Sequence, residues 1–375
     1  VFAARVTSTR SVALANTVIA LKKVRVTNHV RHPLVLHEAC ALLALRGHPG
    51  IPQVFAWGRS QYFEYLAMER LGKNLVDIIE ESGLSLRNLI VLICQMMDVI
   101  EYVHQKGIIH CNVKPHNFVF GQSENIGRLY LIDFGLRRFW SDDEMEKRLS
   151  MGTYCYTSER VLRGHPPARR DDMESLAYTI VDLLTGSLPW DDPPEEYLAI
   201  IPPTRVDGTT LCGSYHPVFA RFVDYTRALE FAETPQYRRW REAFRELAPG
   251  LPEHPPFDRH DDSLPRVGVR TGPELMLEPC PTAGLIFVDD HEEEMDRRVR
   301  FLPLHGSSWG EPTALCPADL LGDELEIVTG AIELIEEPPE YNRGRTTDRQ
   351  CAEEVMNNAQ SSTRCLIDHQ AGVGD

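Results

Sequence analysis

The chain has 375 residues, 43% of them apolar, which is room for one large two-lobed domain with an appendage or for two domains. No apolar run reaches the ~18 residues of a membrane span. The formal charge is −16, with 29 basic and 29 acidic residues in 1–250 and 10 basic against 26 acidic beyond, so neither part suits a polyanion and nucleic acid is excluded as a partner.

Nine cysteines, with no Cys-x-x-Cys pair, read as reduced thiols of an intracellular protein of cytoplasm or nucleus, not as a disulfide frame or zinc site. The first residue is Val, and an upstream segment is expected.

In chain order, Val1 to Val6 and Thr17 to Val26 alternate as strands. The second puts Ala20 and Lys22 on one face and Ile19, Leu21 and Lys23 on the other. Leu34 to Leu45 reads as an apolar helix carrying Glu38, with Pro33 before it and Gly47 beyond. Val54 to Trp57 and Tyr62 to Met68 are further strands around a Gly58-Arg59-Ser60 turn. A long helix runs from Ser85 to Lys106 and is apolar on more than one face, which predicts burial. Leu129 to Ile132 is a short apolar strand. Another apolar helix covers Asp172 to Leu184 and stops at Gly186. Amphipathic helices follow near Pro217 to Phe231 and Pro235 to Leu247, the latter with Thr234 as its cap. Pro249, Pro252, Pro255 and Pro256 then mark a boundary. The acidic remainder is expected to be largely unstructured, apart from a short strand or helix at Ile332 to Glu337.

The chemistry concentrates in Ile108-Ile109-His110-Cys111-Asn112-Val113-Lys114-Pro115-His116-Asn117 and, after the apolar strand, Asp133-Phe134-Gly135. Asn117 and Asp133 supply hard oxygens of the kind that bind magnesium. Asp-Phe-Gly alone is a weak signal; following Lys-x-x-Asn and an apolar strand, it is strong. Strand parity selects Lys22 over Lys23, and Glu38 is the one acidic residue of the next helix. Read singly, Lys22 is as well explained as a surface lysine and Glu38 as part of a solvated face.

With these motifs the chain resembles the eukaryotic protein kinases. Within them it resembles the casein kinase I family, through Gly50-Ile51-Pro52, Tyr102-Val103-His104, Arg169-Arg170-Asp171-Asp172-Met173-Glu174-Ser175-Leu176 and Gly186-Ser187-Leu188-Pro189-Trp190. The resemblance covers Val1 to about Leu247. It implies an α+β, two-lobed protein-kinase-like fold in residues 1–248: a small β-rich lobe to about residue 69, a larger helical lobe from about 73, and a flexible acidic tail over 249–375. It implies ATP and magnesium as cofactors, protein Ser/Thr side chains as acceptors, and a monomer with protein substrates or regulatory proteins as partners. Lys22 and Glu38 would serve the nucleotide phosphates, and Asn117 and Asp133 the metal. Ala20, Met68, Val119 and Ile132 would enclose the adenine, and Glu69 and Leu71 would offer it backbone. Lys114 would stand near the transferred phosphate.

Departures from the pattern are equally legible. The Gly-rich loop is absent, because it lies upstream or because the protein lacks it. Asn112 stands where the catalytic Asp belongs, and an amide has no basicity near neutral pH. Cys111 and Cys155 replace two arginines, and a thiol cannot reproduce a bidentate guanidinium. Asp191-Asp192-Pro193-Pro194-Glu195-Glu196 replaces a basic loop. The expectation is therefore an impaired kinase, with a catalytically dead binding or regulatory module as the alternative. His110 reads as a structural, hydrogen-bonded histidine. Cys111 reads as an inert thiol or a redox-sensitive one. Asp289 to Glu294 reads as a solvated linker or a mimic of a phosphorylated segment.

Overall fold

A computed structural model describes residues 1–6, 16–25, 34–59, 63–136, 138–139, 152–190, 206–268, 300–303 and 332–334. The small lobe grows out of strand alternation. β1 (Phe2–Val6) and β2 (Val18–Arg25) pair antiparallel, with Ala4 opposite Ile19 and Phe2 opposite Leu21. α1 (Leu34–Ala44) follows, then β3 (Val54–Arg59) and β4 (Phe63–Met68). β2 also pairs with β4, setting Ala20 against Met68, Lys22 against Leu66 and Lys23 against Tyr65. Side chains alternate between sheet faces, so the register sorts them. One face holds Ala20, Lys22, Leu66 and Met68, and α1 packs on it through Val35, Ala39 and Leu42. The opposite face holds Ala4, Val6, Ile19, Leu21, Tyr65 and Ala67 as a separate apolar cluster. The expected turn at Gly58 falls instead within β3, which runs through Arg59.

The larger lobe is helical. α2 (Leu75–Ser82) has no counterpart among the sequence expectations; Asn74 caps it, accepting from Asp77 N–H at 3.0 Å. β5 (Leu84–Ser85) leads into α3 (Leu86–Gln105), where Ser85 Oγ accepts from Asn88 N–H at 3.0 Å. Leu89, Ile90, Leu92, Ile93, Met96 and Met97 are fully buried. Each such side chain contributes ~1.5–3 kcal/mol of burial, so α3 is the spine of the core. β6 (Ile108–Ile109), β7 (Phe118–Phe120), β8 (Leu129–Leu131) and β9 (Arg138–Phe139) form two small ladders, β6 with β9 and β7 with β8. They present the loops that follow β6 and β8 toward the small lobe.

The remaining helices are α4 (Glu159–Leu162), α5 (Arg169–Thr185), α6 (Gly208–Cys212), α7 (Pro217–Ala228) and α8 (Tyr237–Arg245). α5 is buried on nearly every side and ends at Gly186, whose φ of 84° suits a residue without Cβ. α8 starts later than Thr234-Pro235 suggests, because Gln236 N–H donates to Tyr225 Oη at 2.7 Å ahead of the first turn. Among the described residues no helix is long and apolar enough to cross a membrane.

The expected boundary at 248, with a flexible tail from 249, needs correction for the first part of that tail. Residues 251–268 lie against the helical lobe. Gln95 Nε2 donates to Pro255 O at 2.9 Å and Asn88 Nδ2 to Asp258 O at 2.7 Å. Phe257 is buried with its ring 4.7 Å from that of Phe120, and the Ser85 hydroxyl donates to Asp261. β10 (Arg266–Val267) pairs with β5. Further on, β11 (Arg300–Pro303) pairs with β3 and β12 (Ile332–Leu334) with β1, giving the small-lobe sheet the order β11-β3-β4-β2-β1-β12. Of the two forms expected at Ile332, the strand is the one formed. Asp191 to Glu196 and Asp289 to Glu294 lie outside the described residues.

Candidate active site

The site is assembled where the paired face of the small-lobe sheet meets the loops after β6 and β8. Lys22 projects from β2 toward α1, and its Nζ lies 2.7 Å from Glu38 Oε2 and 3.2 Å from Asp133 Oδ1. Lys23 faces the other way, its ammonium 3.8 Å from the centre of the Phe63 ring. Burial works against the charge on Lys22, yet the Glu38 and Asp133 carboxylates outweigh it and hold the ammonium above its usual range. Burial also opposes the charge on Asp133, and there Lys22 wins and holds the carboxyl low. Glu38 is 3% exposed, and burial pushes its carboxyl up against the pull of Lys22.

Asp133 adopts a φ of 68°, a left-handed backbone that is uncommon outside glycine. That turn brings its carboxylate to Lys22, with Phe134 fully buried behind it. The Phe134 ring packs edge-on against His110 at 4.8 Å. His110 is fully buried, with Nε2 3.0 Å from Ile132 O and Nδ1 accepting from Asn112 N–H at 3.2 Å. Burial depresses its pKa. Both ring nitrogens are therefore engaged by a neutral imidazole that ties the two loops together, a structural role.

Asn112, Lys114 and Thr153 form one buried cluster, 6–8% exposed. Lys114 Nζ donates to Thr153 Oγ1 at 2.8 Å, and Thr153 Oγ1 donates to Asn112 Oδ1 at 3.0 Å. Asn117 Nδ2 donates to Asn112 O at 2.8 Å, so the Asn117 side chain is fixed with its own oxygen still available. Asn117 and Asp133 thus offer two hard oxygens. Among the described residues no group of three or more His, Cys, Asp or Glu is arranged so that it could hold a metal ion by itself. A magnesium ion held here would take phosphate oxygens as its other ligands, which is its usual habit beside one or two side chains.

Support comes from α5. Asp172 accepts from His110 N–H at 2.6 Å and Cys111 N–H at 2.8 Å, and His104 Nε2 lies 2.9 Å from the same carboxylate. His104 Nδ1 in turn meets Tyr237 Oη at 2.6 Å. Gly152, with φ of 104°, passes close to the loop; a Cβ there would lie 2.8 Å from Cys111 O. Cys155 is buried and its carbonyl accepts from Trp190 Nε1 at 2.7 Å, while Cys111 is only half-buried. Thr153, Asp172, His104 and Tyr237 carry no role in the sequence reading. Their partners lie 39 to 133 residues away, beyond the reach of any local motif.

The residues expected around a base fall on β2, β4 and β7, on the loop after β8 and on the connection between the lobes. Ala20 and Met68 are direct partners across β2 and β4. Val119 lies on β7 and is bridged to Asn74, and Ile132 precedes Asp133. Glu69 N–H donates to Gln53 O at 2.7 Å, and the Glu69 carboxylate accepts from Gln53 N–H at 3.1 Å. Gln122 Nε2 donates to Leu71 O at 2.8 Å, and Gly72 N–H to Phe120 O at 2.7 Å. The connection between the lobes is thereby pinned at both ends.

The family model described as protein kinase domain matches residues 5–205. That span holds Lys22, Glu38, Asn112, Lys114, Asn117, Asp133 and Thr153.

Proposed function

The chain belongs to the protein kinase family, and on that premise we propose that it is a casein kinase I-like protein that binds ATP with magnesium and transfers the γ-phosphoryl group to protein Ser/Thr hydroxyls slowly. The observation that carries this reading is the contact of Lys22 with both Glu38 and Asp133. Phosphoryl transfer asks a protein mainly for positioning and charge neutralisation, and these three residues supply both. Lys22, oriented by Glu38, holds the α- and β-phosphates. Asn117 and Asp133 hold the metal, which when bound neutralises phosphate charge. Ala20, Met68, Val119 and Ile132 enclose the base, and the backbone of Glu69 and Leu71 pairs with it. The kinase domain runs from the small lobe, ending near residue 69, through the helical lobe from about 73, and includes the packed segment to 268.

In the transfer, the substrate hydroxyl oxygen bonds to the γ-phosphorus as the bond to the ADP leaving oxygen breaks. The hydroxyl proton then goes to solvent or to the transferred phosphate, because Asn112 cannot accept it. General-base help is worth ~10²–10⁴-fold, and that is the expected deficit. With Cys111 and Cys155 in place of arginines, no preference for phosphorylated or acidic substrates is assigned.

A second reading, a catalytically dead module acting through protein partners, is favoured by one specific observation. Asn112 Oδ1 is already taken by Thr153 and so is poorly free to orient a substrate hydroxyl. Phosphate transfer to a generic protein substrate separates the two readings, run for the native chain, Asn112→Asp and Lys22→Ala. Transfer by the native chain that Lys22→Ala abolishes supports the slow kinase. Transfer by Asn112→Asp alone supports the dead module.

A further inference from the structure

Asn112 differs from a carboxylate not only in basicity but in what it offers the cleft. Thr153 Oγ1 accepts from Lys114 Nζ at 2.8 Å and directs its own hydrogen to Asn112 Oδ1 at 3.0 Å. The Asn112 backbone is also engaged, its N–H by His110 Nδ1 at 3.2 Å and its carbonyl by Asn117 Nδ2 at 2.8 Å. The remaining polar atom is Nδ2, which carries two N–H donors and meets no hydrogen-bond partner among the described residues. Asn112 as a residue is 8% exposed, and Nδ2 itself keeps contact with solvent, since it is not one of the fully buried polar atoms left without a partner.

A carboxylate in the same seat would present a negative acceptor beside Lys114. The amide presents a neutral donor there. Two donor groups, one of them an ammonium, fit an anion and not the deprotonation of a hydroxyl. The terminal phosphate of a bound nucleotide is the anion that must lie between the metal-binding side chains and this loop.

We infer that Asn112 Nδ2 and Lys114 Nζ hold the terminal phosphate of a nucleoside triphosphate, so that the site retains the triphosphate as a ligand in preference to the diphosphate. This rests on the nucleotide-site reading above and deepens it. Asparagine at 112 removes one negative charge that would repel the phosphate and adds a donor that attracts it.

Calorimetric titration of the full chain tests this, using magnesium with ATP, with its non-hydrolysable imido analogue and with ADP. The titrations are repeated for Asn112→Asp and Asn112→Ala. The native chain is expected to bind both triphosphates roughly tenfold or more tightly over ADP, a difference of one or two charge-assisted hydrogen bonds. Asn112→Asp, nearly isosteric, is expected to erase that preference while leaving ADP affinity unchanged. Asn112→Ala, neutral but without donors, is expected to lose most of it. Equal native affinity for ATP and ADP overturns the inference and leaves the nucleotide site standing. An undiminished preference in Asn112→Ala overturns the role of the amide. Binding of no nucleotide by the native chain overturns both this inference and the nucleotide-site reading.

Discussion

Asp172 holds Cys111 in a left-handed backbone turn, with the Cys111 N–H 2.8 Å from Asp172 Oδ1 and φ at 66°. The other oxygen of the same carboxylate takes His110 N–H and faces His104. A non-glycine residue in this conformation costs of order 1–3 kcal/mol, and it persists where its surroundings over-determine it. Here one buried carboxylate on α5 does so, and it fixes the direction in which Asn112 leaves the turn.

Asp172→Ala is expected to remove that control. It strands two buried backbone donors, at about 1–3 kcal/mol each, and releases the strained turn. Urea unfolding should show a loss of roughly 3–5 kcal/mol. Asp172→Asn, which keeps one acceptor oxygen, should lose clearly less. Equal losses in the two variants would show that burial, not hydrogen bonding, sets the value.

Lys22→Ala leaves Glu38, 3% exposed, without its cation. Removing one partner of a buried pair costs up to about 3–5 kcal/mol, and the partial exposure of Lys22 and Asp133 reduces this to about half. The abandoned Glu38 carboxyl then rises further, and protonation relieves the cost. The gap in stability between native and Lys22→Ala is therefore expected to narrow from pH 7 to pH 5. Thermal melts at the two pH values check this; a gap that widens on acidification contradicts it.

Much of this fold follows from local pattern. The alternation in β2 separates Lys22 from Lys23 because that strand sits between two others with a packed helix on one face only. α3 declares itself by apolar residues on several faces and by the Ser85 cap. α2 is hidden because eight residues give little more than two turns of periodicity. Thr153 and Asp172 gain their roles only through contacts made across the folded lobe; the stretch Arg169 to Leu176 marks Asp172 as part of a signature but does not say what it holds. The segment 251–268 looks like a linker because its prolines and charges have no period. Its order comes from side chains of α3 that donate to its carbonyls and from one aromatic residue, Phe257.

That segment is open to a direct test. Phe257 is buried against Phe120, and Phe257 N–H donates to Gly127 O at 2.9 Å. Phe257→Ala should cost about 3–5 kcal/mol by lost burial and cavity formation. A chain ending at 248 should lose at least as much relative to one ending at 268, since Asn88 and Gln95 also lose their acceptors. Urea midpoints of the two truncated chains and of the point variant measure this. Indistinguishable midpoints for 248 and 268 would restore the earlier boundary.

The last prediction concerns pH. Asp171, 4% exposed, accepts from Ser158 Oγ at 2.5 Å and from Ala168 N–H at 2.8 Å at the start of α5. Burial nevertheless dominates and raises its carboxyl to about 6, from 3.8. Between those values the folded chain binds a proton that the unfolded chain does not. By linkage, stability contributed at this position is highest at low pH and falls as pH rises through about 4 to 6, by roughly 3 kcal/mol in all. Asp171→Asn carries no titrating group and keeps an acceptor for Ser158. Its stability relative to native should therefore increase as pH is raised from 4 to 7 and then level off. Carboxylates held low, such as Asp133, contribute the opposite slope in both chains and cancel in the comparison. Urea unfolding of native and Asp171→Asn across this range gives the difference directly. Parallel curves would mean that Asp171 is already charged at pH 4 and that its two hydrogen bonds outweigh burial.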